Sequence, residues 1–269
     1  MSRVNPDEDV KLLNPAVRFY DWSGSEGKFS YYDKEAKKKV MVDLPFTFLP
    51  IERCVTLKGY NDDTKTSYWS NEVKDNNKDI FVLQSVTTVN GNKKVTTVAK
   101  GLYKDIKPTL DALDISYVES MYIGVKGAKG LELCNFQIKG SALGAWFEFC
   151  SKNKIWEIAV SVSSTVDKKK GAVKFKEPAY AAITKISPKM NEEAIELNKQ
   201  LLTYLNEYFA KNKVAAEAAV EETKTPVKPT GKFENQQAFD DSKHPQAQHS
   251  EVMGEDNDIV TNMDMPDEF

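Results

Sequence analysis

Two stretches of the chain alternate aromatic with basic side chains. The first contains Arg18, Tyr20, Trp22, Lys28, Tyr31, Tyr32, Lys34, Lys37, Lys38 and Lys39. The second contains Lys58, Tyr60, Lys65, Tyr68, Trp69 and Lys74. Flat rings can stack on unpaired bases and cations can neutralise phosphates, so the two together suit sequence-independent binding of single strands. A lone tyrosine or tryptophan on a strand is more often a packing residue. The clustering with lysine and arginine is what indicates a DNA-binding surface.

A β-hairpin is expected where Asn90, Gly91 and Asn92 separate two β-branched runs. Asparagine and glycine tolerate the positive φ angles that tight hairpin turns require. Lys93 and Lys94 would lie at the tip of this hairpin, and we add them to the candidate DNA-binding residues.

The sequence gives little support for a catalytic site. Gly27–Lys28 and Gly231–Lys232 both precede phenylalanine, whereas a phosphate-binding P-loop requires serine or threonine at that position. The two histidines lie beyond residue 243, far in sequence from the three cysteines, and no zinc-ligand spacing occurs. Carboxylates are scattered without a paired spacing, so a metal-dependent nuclease is only a disfavoured alternative. We expect no enzymatic activity, no metal and no cofactor.

The net charge of −3 conceals an asymmetry between the body and the C-terminal segment. Residues 1–213 carry 33 basic and 27 acidic side chains, whereas residues 214–269 carry 4 basic and 13 acidic ones. A basic body joined to an acidic arm suggests a polyanionic ligand with which the arm competes. A solubilising tail on a solvated body explains the charge alone equally well.

The residue pattern at the end of the chain is a more specific functional signal than the charge asymmetry. Residues 251–269 contain seven acidic residues and no basic ones, with apolar residues among them. An acidic peptide with an apolar anchor and a free carboxylate is what a basic-rimmed pocket on a partner protein can bind. The candidate partner-binding residues are Asp264, Met265, Pro266, Asp267, Glu268 and Phe269.

This ending resembles the acidic, phenylalanine-terminated tip of bacterial and phage single-stranded DNA-binding proteins. It departs from the bacterial pattern because Asp267 and Glu268 separate Pro266 from Phe269. The body, over roughly residues 14–210, is similar to proteins of large tailed phages of the crAss-like kind, notably in residues 44–48 (LPFTF) and 68–73 (YWSNEV). The resemblance implies an OB-like barrel with additional strands and helices, which coats single strands during replication.

Sequence patterns predict a β-rich α+β body over 1–213, followed by a disordered linker and acidic tail over 214–269. Period-two runs predict strands at 17–22, 28–32, 40–42, 46–49, 54–57 and 155–163, the last with Trp156 buried and Ser161 exposed. Helices are expected over 103–113, from an N-cap at Ser141 to 149, and from an N-cap at Asn191 to about 211. The last helix would pack an apolar stripe that includes Ile195.

Composition excludes some classes of protein and leaves others open. No apolar run approaches the roughly 18 residues of a membrane span, and the N-terminus lacks a signal peptide, so we expect a cytoplasmic protein without membrane partners. The favoured function is coating of single-stranded DNA, with the tip recruiting a polymerase, helicase or primase. The alternatives are an interaction or virion-associated adaptor whose body does not bind DNA, and an RNA-binding or annealing protein. Association of several copies stays open.

Overall fold

The computed structural model describes residues 12–89 and 92–222. Eleven strands and three helices follow one another along the described chain. The strands are β1 (Phe19–Ser23), β2 (Lys28–Asp33), β3 (Lys38–Val42), β4 (Phe46–Asn61), β5 (Thr66–Ser70), β6 (Phe81–Val89), β7 (Asn92–Gly101), β8 (Ser116–Lys126), β9 (Leu131–Ile138), β10 (Ala159–Lys170) and β11 (Val173–Ile183). The helices are α1 (Tyr103–Ala112), α2 (Ser141–Lys152) and α3 (Pro188–Glu222).

All eleven strands belong to one open, mixed sheet with the order β3-β2-β1-β9-β8-β4-β5-β6-β7. Strand β10 pairs with the start of β4, and β11 pairs with β10. Among the described strands, only β1 and β9 pair in parallel, with Asp21 opposite Gln137. The β-rich α+β class expected from the sequence is therefore confirmed.

Strand β4 holds the sheet together, since it pairs with β5, β8 and β10. The sequence predicted two separate strands here because Pro50 and Glu52 interrupt the apolar pattern. The structure has one strand of 16 residues, with an irregularity in register between Pro50 and Glu52 where it pairs with β8. A bulge accommodates proline, which cannot donate to a ladder, and it also bends the strand.

Two of the helices cover one face of the sheet. Helix α2 buries Trp146 and Phe149 against Phe48, Phe136 and other aromatic side chains of the largest core cluster. Helix α1 packs Ile106 and Leu110 on a second cluster at the other end of the sheet. We refer to this side, which also carries Tyr20, Phe29 and Phe136, as the packed face. Helix α3 packs Leu201 and Leu205 on the opposite side, over Cys54, Tyr122 and Leu133.

Some predicted boundaries are wrong. Residues 155–157 form a 3₁₀ turn rather than the start of a strand, so Trp156 is exposed and Ser161 is buried. The cap of α2 is Gly140, at a φ of 59°, rather than Ser141. Helix α3 begins at Pro188 and continues to Glu222, past the predicted end near 211, and Ile195 is half exposed. The division at 213 stays a prediction.

Two features are absent from the described residues. These residues contain no helix long and apolar enough to cross a membrane. They also contain no group of three or more histidine, cysteine or acidic side chains arranged to hold a metal ion.

Candidate nucleic-acid interface

The side of the sheet opposite the packed face carries polar and aromatic side chains beyond the part covered by α3. The ladder registers define this surface, because residues directly opposite each other point to the same side. Asp21 lies opposite Ser30 and Gln137, and Lys58 lies opposite Trp69, which lies opposite Gln84. We call this surface the polar face; its members are Asp21, Lys28, Tyr32, Lys39, Lys58, Tyr60, Trp69, Gln84, Lys93 and Gln137.

Three of the predicted stacking residues are exposed on the polar face. Tyr32 is 61% exposed, Tyr60 is 55% exposed and Trp69 is 43% exposed. Aromatic rings left this open to water at strand positions can stack on bases, since every base presents a flat surface whatever its identity. The structure therefore brings together rings from both of the stretches that the sequence indicated.

Lysines accompany these rings. Lys58 and Lys93, both predicted, lie on the polar face, and Lys28 lies there in an ion pair with Asp43 at 2.5 Å. Lys39 lies opposite Tyr32, and Lys139 is close enough to Lys58 to act on its charge. Lys39 belongs to the first stretch that the sequence indicated, whereas sequence reasoning missed Lys139 as a DNA contact, because its position depends on strand pairing rather than on local composition.

A cavity of about 240 Å³ opens at the centre of this surface. The charged and polar residues in its lining are Arg18, Asp21, Tyr32, Lys34, Lys58 and Gln137. The Lys58 ammonium donates to Gln137 Oε1 at 2.5 Å. Burial lowers the pKa of Lys58, and the carboxylates of Asp21 and Glu72 act in the opposite direction. Burial therefore disfavours the charged form of the Lys58 ammonium, and an anionic ligand beside it would stabilise that form.

A polar network lies under the polar face where α3 covers it. The Glu72 carboxylate accepts hydrogen bonds from Ser120 Oγ at 2.5 Å and from Tyr122 Oη at 2.8 Å. Asn135 Nδ2 donates to Ser120 Oγ, and Asn14 Nδ2 donates to Tyr122 Oη. Burial raises the pKa of Glu72, although the two hydroxyl donors favour its charged form. Tyr208 of α3 accepts a hydrogen bond from the Glu72 backbone N–H at 2.9 Å, so the network connects β8 and β9, the strand that carries Gln137, to α3.

The remaining aromatics of the first stretch are on the packed face. Tyr20 is only 4% exposed and contacts Tyr31 and Phe46, so its ring is not available to a base. Trp22 packs on Phe29 and donates its indole N–H to the Lys176 carbonyl at 2.9 Å. Arg18 pairs with Glu132 and lies over the Tyr31 ring at 5.6 Å. Tyr20, Trp22 and Tyr31 therefore lie in or against the core, whereas Arg18 also borders the cavity of the polar face described above.

The other predicted residues of the second stretch and of the hairpin have different environments. Tyr68 packs against the core cluster under α1, because its neighbour Trp69 takes the polar side. Lys65 pairs with Asp62 in the turn between β4 and β5, and Lys74 pairs with Glu52 at 2.8 Å. Lys94 lies opposite Thr87, one residue out of phase with Lys93, so it points away from the polar face. The predicted tip, residues 264–269, lies outside the described residues.

A second cavity, of about 380 Å³, lies away from the polar face. Its lining includes Arg53, Glu119, Phe147, Lys154 and Trp156. Phe147 is 42% exposed and Trp156 is 55% exposed. Arg53 holds the buried Glu119 carboxylate at 2.9 Å, so the charges of this cavity are largely neutralised within it.

Comparison of the chain with protein-family models, with curated proteins and with solved structures finds no match.

Proposed function

We propose that this protein binds single-stranded DNA on the polar face, without requiring a particular sequence. The observation that carries the proposal is the placement of three exposed rings, Tyr32, Tyr60 and Trp69, among lysines on a sheet surface that the helices leave open. Backbone neutralisation and base stacking are the two components of such binding. Both are available on this one surface.

The spacing of the rings supports a strand that crosses the sheet. Tyr32 lies on β2 and Trp69 on β5, five strands apart in the sheet order. At about 4.8 Å per strand, the rings are roughly 24 Å apart along a flat path. An extended strand of several nucleotides can contact both ends of this distance, in keeping with binding sites of roughly 4–16 nucleotides on comparable folds.

An OB-like arrangement of the strands is part of the proposal. Its support is β4, which carries a register irregularity between Pro50 and Glu52 and pairs with three other strands. A bulged strand that is shared in this way is how a sheet is made to curl.

We further propose that the protein coats replication intermediates and recruits a replication protein through its tip. The support is the acidic, phenylalanine-ended sequence of residues 264–269 and its resemblance to phage and bacterial single-stranded DNA-binding proteins. Residues 251–269 carry seven negative charges, so a tethered tail also competes with phosphates for the lysines of the body.

The test is a fluorescence anisotropy titration of labelled oligo(dT), the same sequence as a duplex, and oligo(rU). The single strand should bind more tightly than the duplex, because stacking requires unpaired bases, and affinity should fall as salt rises. Lys139→Gln should reduce the salt dependence by about 0.7 in the log–log slope, the value for one phosphate contact. The matched control is Lys104→Gln, which removes an exposed lysine of α1. Equal or tighter binding to the duplex would remove the proposal, and tighter binding of oligo(rU) would favour an RNA-binding protein.

The adaptor alternative has one observation in its favour. Phe147 and Trp156 are exposed beside a cavity that is not on the polar face, and exposed aromatics of this kind are typical of protein interfaces. If oligonucleotides fail to bind while Trp156→Ala abolishes capture of a phage or host protein, the adaptor becomes the better account.

A further inference from the structure

The central cavity of the polar face carries hydrogen-bonding groups that stacking and phosphate contacts do not require. Asp21 is exposed on β1, and Gln137 lies directly opposite it on β9. Tyr32 lies two residues beyond Ser30, the partner of Asp21 on β2, and its ring borders the same cavity. A carboxylate, an amide and an open ring thus meet in a space of about 240 Å³.

The amide of Gln137 has a defined orientation. Its Oε1 accepts a hydrogen bond from the Lys58 ammonium at 2.5 Å, so its two Nε2 hydrogens are the groups left to donate. The Asp21 carboxylate can only accept, because an ionised carboxylate has no hydrogen to donate. The cavity therefore presents two acceptor oxygens beside an amide donor and the remaining hydrogens of an ammonium.

We propose that this cavity binds a guanine base of the single strand. The Watson–Crick edge of guanine has two adjacent donors, N1–H and N2–H, next to the acceptor O6. The two donors match the two oxygens of Asp21, and O6 matches the donors of Gln137 and Lys58. Tyr32 supplies the stacking surface for the same base.

The other bases fit less well for identifiable reasons. Adenine and cytosine each place an acceptor nitrogen, N1 or N3, where the carboxylate of Asp21 would repel it. Thymine offers one donor, N3–H, and hypoxanthine has N1–H and O6 but lacks the amino group. The expected order of affinity is guanine, then hypoxanthine, then thymine, then adenine and cytosine.

This inference rests on the proposed function, because a base can enter the cavity only from an unpaired strand. It adds a graded preference at one nucleotide to binding that is otherwise sequence-independent. A bidentate contact between a side chain and a base discriminates against the wrong base by roughly 5- to 150-fold. We expect the lower part of this range, about 5- to 20-fold, because Asp21 is solvent-exposed.

The experiment measures the dissociation constants of equal-length single-stranded DNA repeats. Each repeat alternates thymidine with one variable deoxynucleoside, which carries guanine, hypoxanthine, adenine or cytosine and is named below as the guanosine, inosine, adenosine or cytidine repeat. In such a repeat, every second binding register places a variable base in the cavity, and lithium salts prevent guanine quadruplexes. The full-length protein should bind the guanosine repeat most tightly and the inosine repeat at an intermediate level. Asp21→Asn should abolish the guanosine preference and improve the adenosine repeat relative to it, because an amide offers the acceptor and donor pair that adenine requires.

The matched control is Asp63→Asn, which removes the same charge from the exposed turn between β4 and β5. Both variants should bind the adenosine and cytidine repeats somewhat more tightly, since each loses a negative charge. Only Asp63→Asn should also bind the guanosine repeat more tightly and keep the guanosine preference. Equal binding of all four repeats by the unaltered protein would overturn the inference and leave the proposed function intact. A guanosine preference that survives in Asp21→Asn would overturn it too. Failure to bind any repeat would overturn the proposed function itself.

Discussion

Replacing Trp69 with leucine separates stacking from packing. Trp69 is 43% exposed on β5, opposite Lys58 on one side and Gln84 on the other. Stacking of one base on such a ring contributes about 1–3 kcal/mol, which corresponds to roughly 5- to 150-fold in the dissociation constant. Leucine keeps apolar contact with the neighbouring strands and removes the flat ring. Since strand propensities at such positions span about 1 kcal/mol, the free energy of unfolding should change by no more than about that amount.

The assay combines titration of oligo(dT) with urea unfolding of each variant. Trp156→Leu is the matched control, because Trp156 is 55% exposed but lies on the 3₁₀ turn beside the second cavity. Trp69→Leu should weaken binding within the stated range and remove most of the quenching of tryptophan fluorescence by DNA, while Trp156→Leu should do neither. If Trp69→Leu binds like the unaltered protein, or if both variants lose equal affinity, stacking on the polar face is refuted.

Three other perturbations test separate parts of the account. Trp22→Ala should cost about 3 kcal/mol in the free energy of unfolding, measured in urea, and leave the affinity of the folded protein for oligo(dT) unchanged, because the ring packs on Phe29. Burial raises the pKa of the Glu72 carboxyl group above its value of 4.5 in the unfolded chain, so folding favours the protonated form. The free energy of unfolding should therefore increase as the pH falls toward 4.5. Glu72→Gln should remove that pH dependence, and an unchanged stability–pH profile would count against the assignment. Deleting residues 251–269 should tighten DNA binding at low salt and lose this gain at high salt, whereas deleting only Phe269 should spare DNA affinity and abolish capture of a replication partner.

Local pattern located the strands well but did not reveal which of their sides is covered. Tyr20 and Trp22 of β1 alternate with Arg18 just before the strand, as Lys58 and Tyr60 alternate along β4, and composition makes the two sets equally good candidates. The two sets differ because α2 packs its Trp146 on the side that holds Tyr20. Period-two alternation assigns residues to two faces, and a helix more than a hundred residues away decides which face is buried.

Trp156 shows the opposite error, because it was predicted to be buried and is exposed. The alternation of Trp156, Ile158, Val160 and Val162 reads as one buried strand face, but β10 begins only at Ala159. Its first residues pair with Phe48 and Phe46 of β4, which fixes the register, and the 3₁₀ turn before it rotates Trp156 out to solvent. A pairing between residues more than a hundred positions apart leaves no local signal in the sequence.

The central cavity could not have been predicted for the same reason. Asp21 and Gln137 come together through the parallel pairing of β1 with β9. Parallel strands need a long crossover between them, so their partners are far apart in the chain. Neither residue is unusual in its local context, and only the sheet order shows that both face Lys58.

Photochemical cross-linking of 5-iododeoxyuridine oligonucleotides, with the attached residues identified by mass spectrometry, tests the central claim most directly. Aromatic side chains that stack on the modified base react, so the map reports which rings touch the strand. The account predicts attachment at Tyr32, Tyr60 and Trp69 on the polar face, and its loss in the presence of excess unlabelled single strand. Attachment confined to Trp156, Tyr103 or other rings away from the polar face would contradict the account.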